Sequence, residues 1–121
     1  GVAFSQYDCL NLMNEIGVKS EKVILFGGGA KSRLWKQITA DIFNKKIVTL
    51  NVEEGPSYGG ALLAGVGSGV YKNIVEAASK VIKETDEVLP NPVNVEKYKK
   101  IYEVYKSLYA DLKEDFKKLS L

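Results

Sequence analysis

One stretch constrains the fold more than any other: Val23-Ile24-Leu25-Phe26-Gly27-Gly28-Gly29-Ala30-Lys31-Ser32. Four apolar residues rich in β formers run into three glycines, and a Lys-Ser pair leads into an amphipathic helical pattern. The pattern reads as a buried strand over about 22–26, a glycine turn and a helix start. Such a turn suits an anion. Glycines lack Cβ atoms, so a ligand can approach the backbone closely. The first N–H groups and the positive dipole end of the next helix face the same spot. The turn is therefore read as half of a nucleotide site.

The flanking chain supports that reading. Over residues 32–43, Leu34, Trp35, Ile38, Ile42 and Phe43 recur at spacings of three and four. After the turn Asn44-Lys45-Lys46, Ile47-Val48-Thr49-Leu50 reads as a second strand. Strand, helix and strand with short connections imply a right-handed crossover and parallel strands. Upstream, Phe4, Leu10, Leu12, Met13 and Ile16 mark an amphipathic helix stopped by Gly17. Ser5 and Asp8 have capping-box spacing, which starts that helix near residue 5; a start at residue 2 or earlier is the other reading. Cys9 reads as a small packing residue, since no specific base or cation marks a reactive thiol.

Downstream, Pro56 after two acids opens a helix over about 56–69 that holds an unusual number of glycines. Interior glycines cost roughly 1 kcal/mol each relative to Ala, so close packing is expected, with Ala61, Leu62, Ala64 and Val66 on the sheet. A second phosphate loop at Gly67-Ser68-Gly69 is the alternative. Residues 73–80 read as a short helix with Ile74, Val75, Ala78 and Val81 inward, and residues 83–92 as extended or irregular, ended by Pro90 and Pro92. A long helix over about 94–118 carries a stripe from Tyr98 through Tyr102, Tyr105 and Tyr109 to Phe116 and Leu119. Buried rings laid along the domain are expected. A homodimer or partner interface along this stripe is the rival.

Composition excludes several classes. At 121 residues the chain suffices for one small domain with a core. A net charge of +2 with no basic field argues against nucleic acid. No apolar run approaches membrane-spanning length, and no signal peptide is visible. Cys9 is the single cysteine, so no internal disulfide forms, which fits a cytoplasmic location. The absence of His removes the commonest general base. A start at Gly1 rather than Met reads as a processed or engineered start, or as a piece of a longer protein.

Known phosphate loops fit incompletely. The dinucleotide fingerprint matches at Gly27 and Gly29 but meets Ser32 where the third Gly belongs. Glu53 or Glu54 follows the second strand and keeps a nicotinamide-dinucleotide oxidoreductase open, through a ribose contact. The P-loop pattern is absent.

The sixteen residues from Phe26-Gly27-Gly28-Gly29-Ala30-Lys31-Ser32-Arg33-Leu34-Trp35 to Ala40-Asp41 resemble the adenosine motif of the FGGY carbohydrate kinases. The similarity continues through Tyr58-Gly59-Gly60-Ala61 and Ala64-Gly65-Val66-Gly67 to the Tyr-rich end, with Gly60 and Pro56 as departures. The resemblance implies an α/β part of a ribonuclease H-like, actin-type ATPase domain, with parallel strands, packed helices and a long C-terminal helix. Residues 1–121 would be the C-terminal portion of the second, nucleotide-binding domain. The resemblance further implies ATP-dependent phosphorylation of a ketose, with D-xylulose favoured. ATP would be bound at Gly27, Gly28, Gly29 and Ser32, and Mg²⁺ held mainly elsewhere. Lys31 would add positive charge or stay solvated. The sugar-binding residues and the catalytic aspartate would lie in a first domain, and Asp41 is read as structural. A non-enzymatic actin-like assembly module is the remaining alternative.

Overall fold

The computed structural model describes residues 1–52 and 55–119. Helix α1 spans Val2–Glu15. It starts earlier than the Ser5/Asp8 spacing suggests. Ser5 lies inside the helix, its hydroxyl donating to the Val2 carbonyl at 2.8 Å. Ala3 and Phe4 are buried at 3% and 6% exposure, and their burial outweighs the local cap. The inward side is completed by Tyr7 and Leu10, whereas Leu12, Met13 and Ile16 are exposed. Cys9 is exposed as well, so it is not the packing residue its size suggests. Gly17 ends the helix as expected. It takes φ +90°, and two amides turn back, Gly17 to the Asn14 carbonyl at 3.1 Å and Val18 to that of Met13 at 2.9 Å.

Strand β1 (Lys22–Ile24), helix α2 (Arg33–Phe43) and strand β2 (Lys46–Leu50) follow in the expected order, with β1 and β2 parallel. β1 is not the buried strand expected, since it lies at the sheet edge with Val23 half-buried and Ile24 exposed. Asn44 closes α2 in the left-handed conformation at φ 49°. The sheet is not wholly parallel. Residues 83–92, expected to be extended or irregular, are extended over β3 (Glu84–Val88), which pairs antiparallel with β2 and makes the order β1-β2-β3. Its acids meet lysines: Lys36 pairs with Asp86, and Lys46 with Glu87 at 3.3 Å. The Lys36 ammonium holds the Asp86 carboxyl below its ordinary value.

The core lies where α1, α2 and the long helix α5 (Pro92–Leu119) meet Ile47 of β2. Phe4 sits 5.2 Å from the Tyr105 ring and 5.6 Å from that of Tyr102, centre to centre. The tyrosine stripe is thus core in its first half. From residue 106 onward every described residue of α5 is exposed. Tyr109 and Phe116 there face an open groove of about 540 Å³ rather than the buried environment expected.

Helices α3 (Gly55–Gly67) and α4 (Ile74–Val81) pack on each other. The expected seating of Ala61, Ala64 and Val66 on the sheet is not what forms. Leu62 is the one buried residue among those described in α3, and Ala61 and Ala64 are exposed. Gly67-Ser68-Gly69 is the end of α3, with Gly69 at φ +78°, and not a phosphate loop before a helix. In α4 the inward residues are Ala77, Ala78 and Val81, whereas Ile74 and Val75 are exposed. Among the described residues no helix is long and apolar enough to cross a membrane.

Candidate nucleotide site

The turn is built from both sides. The Leu25 amide extends β1 by donating to the Val48 carbonyl at 2.9 Å. Gly27 then takes φ +75°, ψ −163°, a region open in practice to glycine alone. That reversal feeds a single 3₁₀ turn over Gly28–Lys31, closed by the Ala30 amide on the Gly27 carbonyl at 3.0 Å and the Ser32 amide on that of Gly29 at 3.1 Å. Ser32 caps α2, its Oγ accepting the Trp35 amide at 3.2 Å. The glycines therefore do not run straight into a bare helix terminus.

A cavity of about 160 Å³ opens beside this turn, lined by Leu25, Phe26, Gly27, Ala30, Lys31, Thr49, Leu50 and Val52. It lies where β1 and β2 reach their C-terminal ends, the place where open α/β sheets receive ligands. Small-molecule sites typically run to about 300–1,000 Å³, so this cavity is smaller than a whole small-molecule site.

Of the four residues singled out from sequence, Gly27 lines the cavity. Gly28 and Gly29 continue the same turn, and Ser32 closes it as the cap. The three glycines differ physically. Gly27 is fixed by its dihedral angles. Gly29 is crowded: a Cβ there would fall 2.8 Å from Trp35 Cδ1. Gly28 has neither constraint, since a Cβ there meets nothing within 4 Å and its φ is not positive. Sequence reasoning missed Thr49, Leu50 and Val52 as lining residues. The signal was present, because the ends of two adjacent parallel strands must lie side by side.

Asp41 is structural. At 2% exposure, its carboxylate accepts from Gln37 Nε2 at 2.8 Å, the Asn91 amide at 2.7 Å and Asn94 Nδ2 at 2.9 Å. The proposed ribose contacts Glu53 and Glu54 lie outside the described residues. Among the described residues the lining near the turn offers backbone and Lys31 but no carboxylate, the Thr49 hydroxyl being paired with that of Thr85 at 3.2 Å, and no cluster suited to a metal ion occurs. Such a lining of backbone and one ammonium suits an anion, and it lacks the carboxylates that would hold Mg²⁺.

A profile described as "FGGY family of carbohydrate kinases, C-terminal domain" matches residues 1–68. The chain is 39% identical over 114 residues to a xylulose kinase of Bacillus subtilis (strain 168), covering 94% of this chain and 23% of that protein. It superposes on a ligand-bound xylulose kinase from Lactobacillus acidophilus with a TM-score of 0.88 at 25% identity, covering 99% of this chain and 24% of that one. A gluconate kinase from the same organism gives 0.86 at 26% identity, covering 99% and 24%. The chain thus spans about a quarter of the length of the proteins it matches. With the motif of residues 26–41 seated on the observed strand–turn–helix, and the profile covering more than half of the sequence, the chain belongs to the FGGY family of carbohydrate kinases, in its C-terminal domain.

Proposed function

We propose that this chain forms the adenosine-side wall of an ATP site, within a ribonuclease H-like, actin-type domain of a sugar kinase. Gly27, Gly28 and Gly29 would receive the nucleotide, Ser32 would hold the turn and offer its hydroxyl hydrogen, and Lys31 would add charge at the cavity rim. The observation that carries this reading is Gly28. The fold does not require a glycine there, yet the position is bare and sits in the turn beside the cavity.

The parent enzyme would move the γ-phosphoryl group of ATP to a hydroxyl of a ketose, with D-xylulose favoured by the resemblance to xylulose kinases. The similarity to a gluconate kinase leaves acceptor choice to residues outside this chain. Phosphoryl transfer is mainly positioning and charge stabilisation. The present residues supply nucleotide orientation, and the proton acceptor and the Mg²⁺ ligands belong elsewhere in the parent. Location in the cytoplasm accords with this reading. A dinucleotide oxidoreductase is less well served, because Ser32 caps a helix where that fingerprint needs a close-packed glycine.

The test is Gly28→Ala. ATP affinity of the chain should fall about tenfold, a loss of about 1.4 kcal/mol, with the thermal midpoint unchanged. Unaltered affinity would remove Gly28 from the site. The chain alone should show weak ATP binding and no sugar-dependent ATP consumption, and clear turnover would overturn the division of labour.

A further inference from the structure

We propose that Trp35 is a positioning residue for the nucleotide: its indole, anchored in the core, fixes Gly29 and through it the turn that forms the cavity wall. The proposal rests on the nucleotide reading above and goes beyond it, since Trp35 does not line the cavity.

Trp35 grips the turn at two points. Its ring lies under Gly29 so closely that a Cβ there would fall 2.8 Å from Cδ1 and 2.9 Å from Nε1. Its main-chain amide donates to Ser32 Oγ at 3.2 Å, at the other end of the turn. The same residue is tied into the body of the domain. Its ring packs against the buried core cluster, and its carbonyl accepts the Thr39 hydroxyl at 2.9 Å. Arg33 is exposed and Leu34 is 71% exposed. Lys36, whose amide also donates to the Ser32 carbonyl at 3.0 Å, turns its side chain to Asp86 of β3. The contact with Gly29 is therefore made by Trp35. A 3₁₀ turn has poor hydrogen-bond geometry and little stability of its own. Its rigidity must come from packing, and the Gly29–Trp35 contact supplies it. The contact also explains why Gly29 and Gly28 differ, one closed by an indole and the other open.

The experiment is a double-mutant cycle on the 121-residue chain, with Gly29→Ala, Trp35→Ala and the pair. ATP titration and hydrogen exchange of the Ala30 and Ser32 amides are the readouts. Ile42→Val, in the core of α2, controls for general destabilisation. Trp35→Ala should weaken ATP about tenfold and lower protection of both amides about tenfold, well beyond the effect of Ile42→Val. Trp35→Phe should recover most of the loss. Gly29→Ala should weaken ATP more beside Trp35 than once the ring is gone, the remainder being its direct cost at the nucleotide.

Two results overturn the proposal alone: a Trp35→Ala chain no worse than Ile42→Val in affinity and amide protection, or an equal Gly29→Ala penalty in both backgrounds. Should Trp35→Ala not fold, the cycle is run with Trp35→Leu, which fills space without a ring under Gly29, and an unrelieved Gly29→Ala penalty overturns the proposal there. Failure of the unaltered chain to bind ATP by any readout overturns the nucleotide reading and this proposal with it.

Discussion

The carboxylate of Asp41, at the buried end of α2, accepts the backbone amide of Asn91 at 2.7 Å just before α5 begins. The same group takes Asn94 Nδ2 and Gln37 Nε2, so one side chain joins two helices and sets where α5 starts. Hydrogen bonds to a charged group are worth about 1.5–3 kcal/mol each, and an orphaned buried donor adds its own penalty. Asp41→Ala should therefore destabilise the chain by about 3 kcal/mol or more in urea unfolding. Below the transition, ATP affinity should be unchanged. A loss under about 1 kcal/mol would sink the structural role, and lost binding without lost stability would return Asp41 to the site.

Tyr102 gives an alkaline signature. Burial first, and then the hydrogen bond donated to Asp8, together raise its hydroxyl from an ordinary value of 10.0 to about 12. The folded state therefore holds this proton more tightly than the unfolded chain does. The resulting stability is complete below about pH 10 and is lost as pH rises towards 12. Tyr102→Phe removes the titrating group and should flatten the fall of the unfolding midpoint across that window. Parallel curves for the two proteins would contradict the assignment.

Lys36 and Asp86 work in the opposite pH range. Lys36 is 9% exposed, and its ammonium meets Asp86 across from β3. The Asp86 carboxyl, held below its usual 3.8 by that contact, adds stability above its unfolded value and loses it as pH falls through the lower folded value. Asp86→Asn should lower the thermal midpoint at neutral pH, because it leaves a nearly buried charge with a weaker partner. The difference from the unaltered chain should vanish in the acid limit. A gap that persists there would mean that the substitution acts through packing.

The strand, turn, helix and second strand were legible because the hydrophobic period changes sharply at the glycines: continuous apolar residues over 23–26, then spacings of three and four in α2. β3 was not. Glu84-Thr85-Asp86-Glu87-Val88 has no apolar alternation. It becomes a strand because β2 offers a backbone edge and lysines face its acids, and both facts are tertiary. Ser5 and Asp8 imitate a cap, and what defeats the imitation is the burial of Ala3 and Phe4 against tyrosines about a hundred residues away in sequence. At the site, sequence located the turn. It could not rank Gly27, Gly28 and Gly29, since the ranking depends on a dihedral angle, an open space and an indole.

Helix α3 supplies a last prediction, because its glycines do not do what their number suggests. A Cβ at Gly59 or Gly60 meets nothing within 4 Å, and neither has a positive φ. Replacing such a helical glycine with alanine restricts the unfolded chain and stabilises by about 0.5–1 kcal/mol. Gly59→Ala and Gly60→Ala should each raise stability by that amount in urea unfolding. Gly65→Ala should not, since its Cβ would fall 2.9 Å from the Tyr71 ring. That ring would have to move from its place after the C-terminal turn of α3. A destabilising Gly59→Ala or Gly60→Ala would mean that a second surface lies against this small-residue face in solution. The effect would then depend on protein concentration if that surface is another copy of the chain, which sedimentation of the variants would reveal.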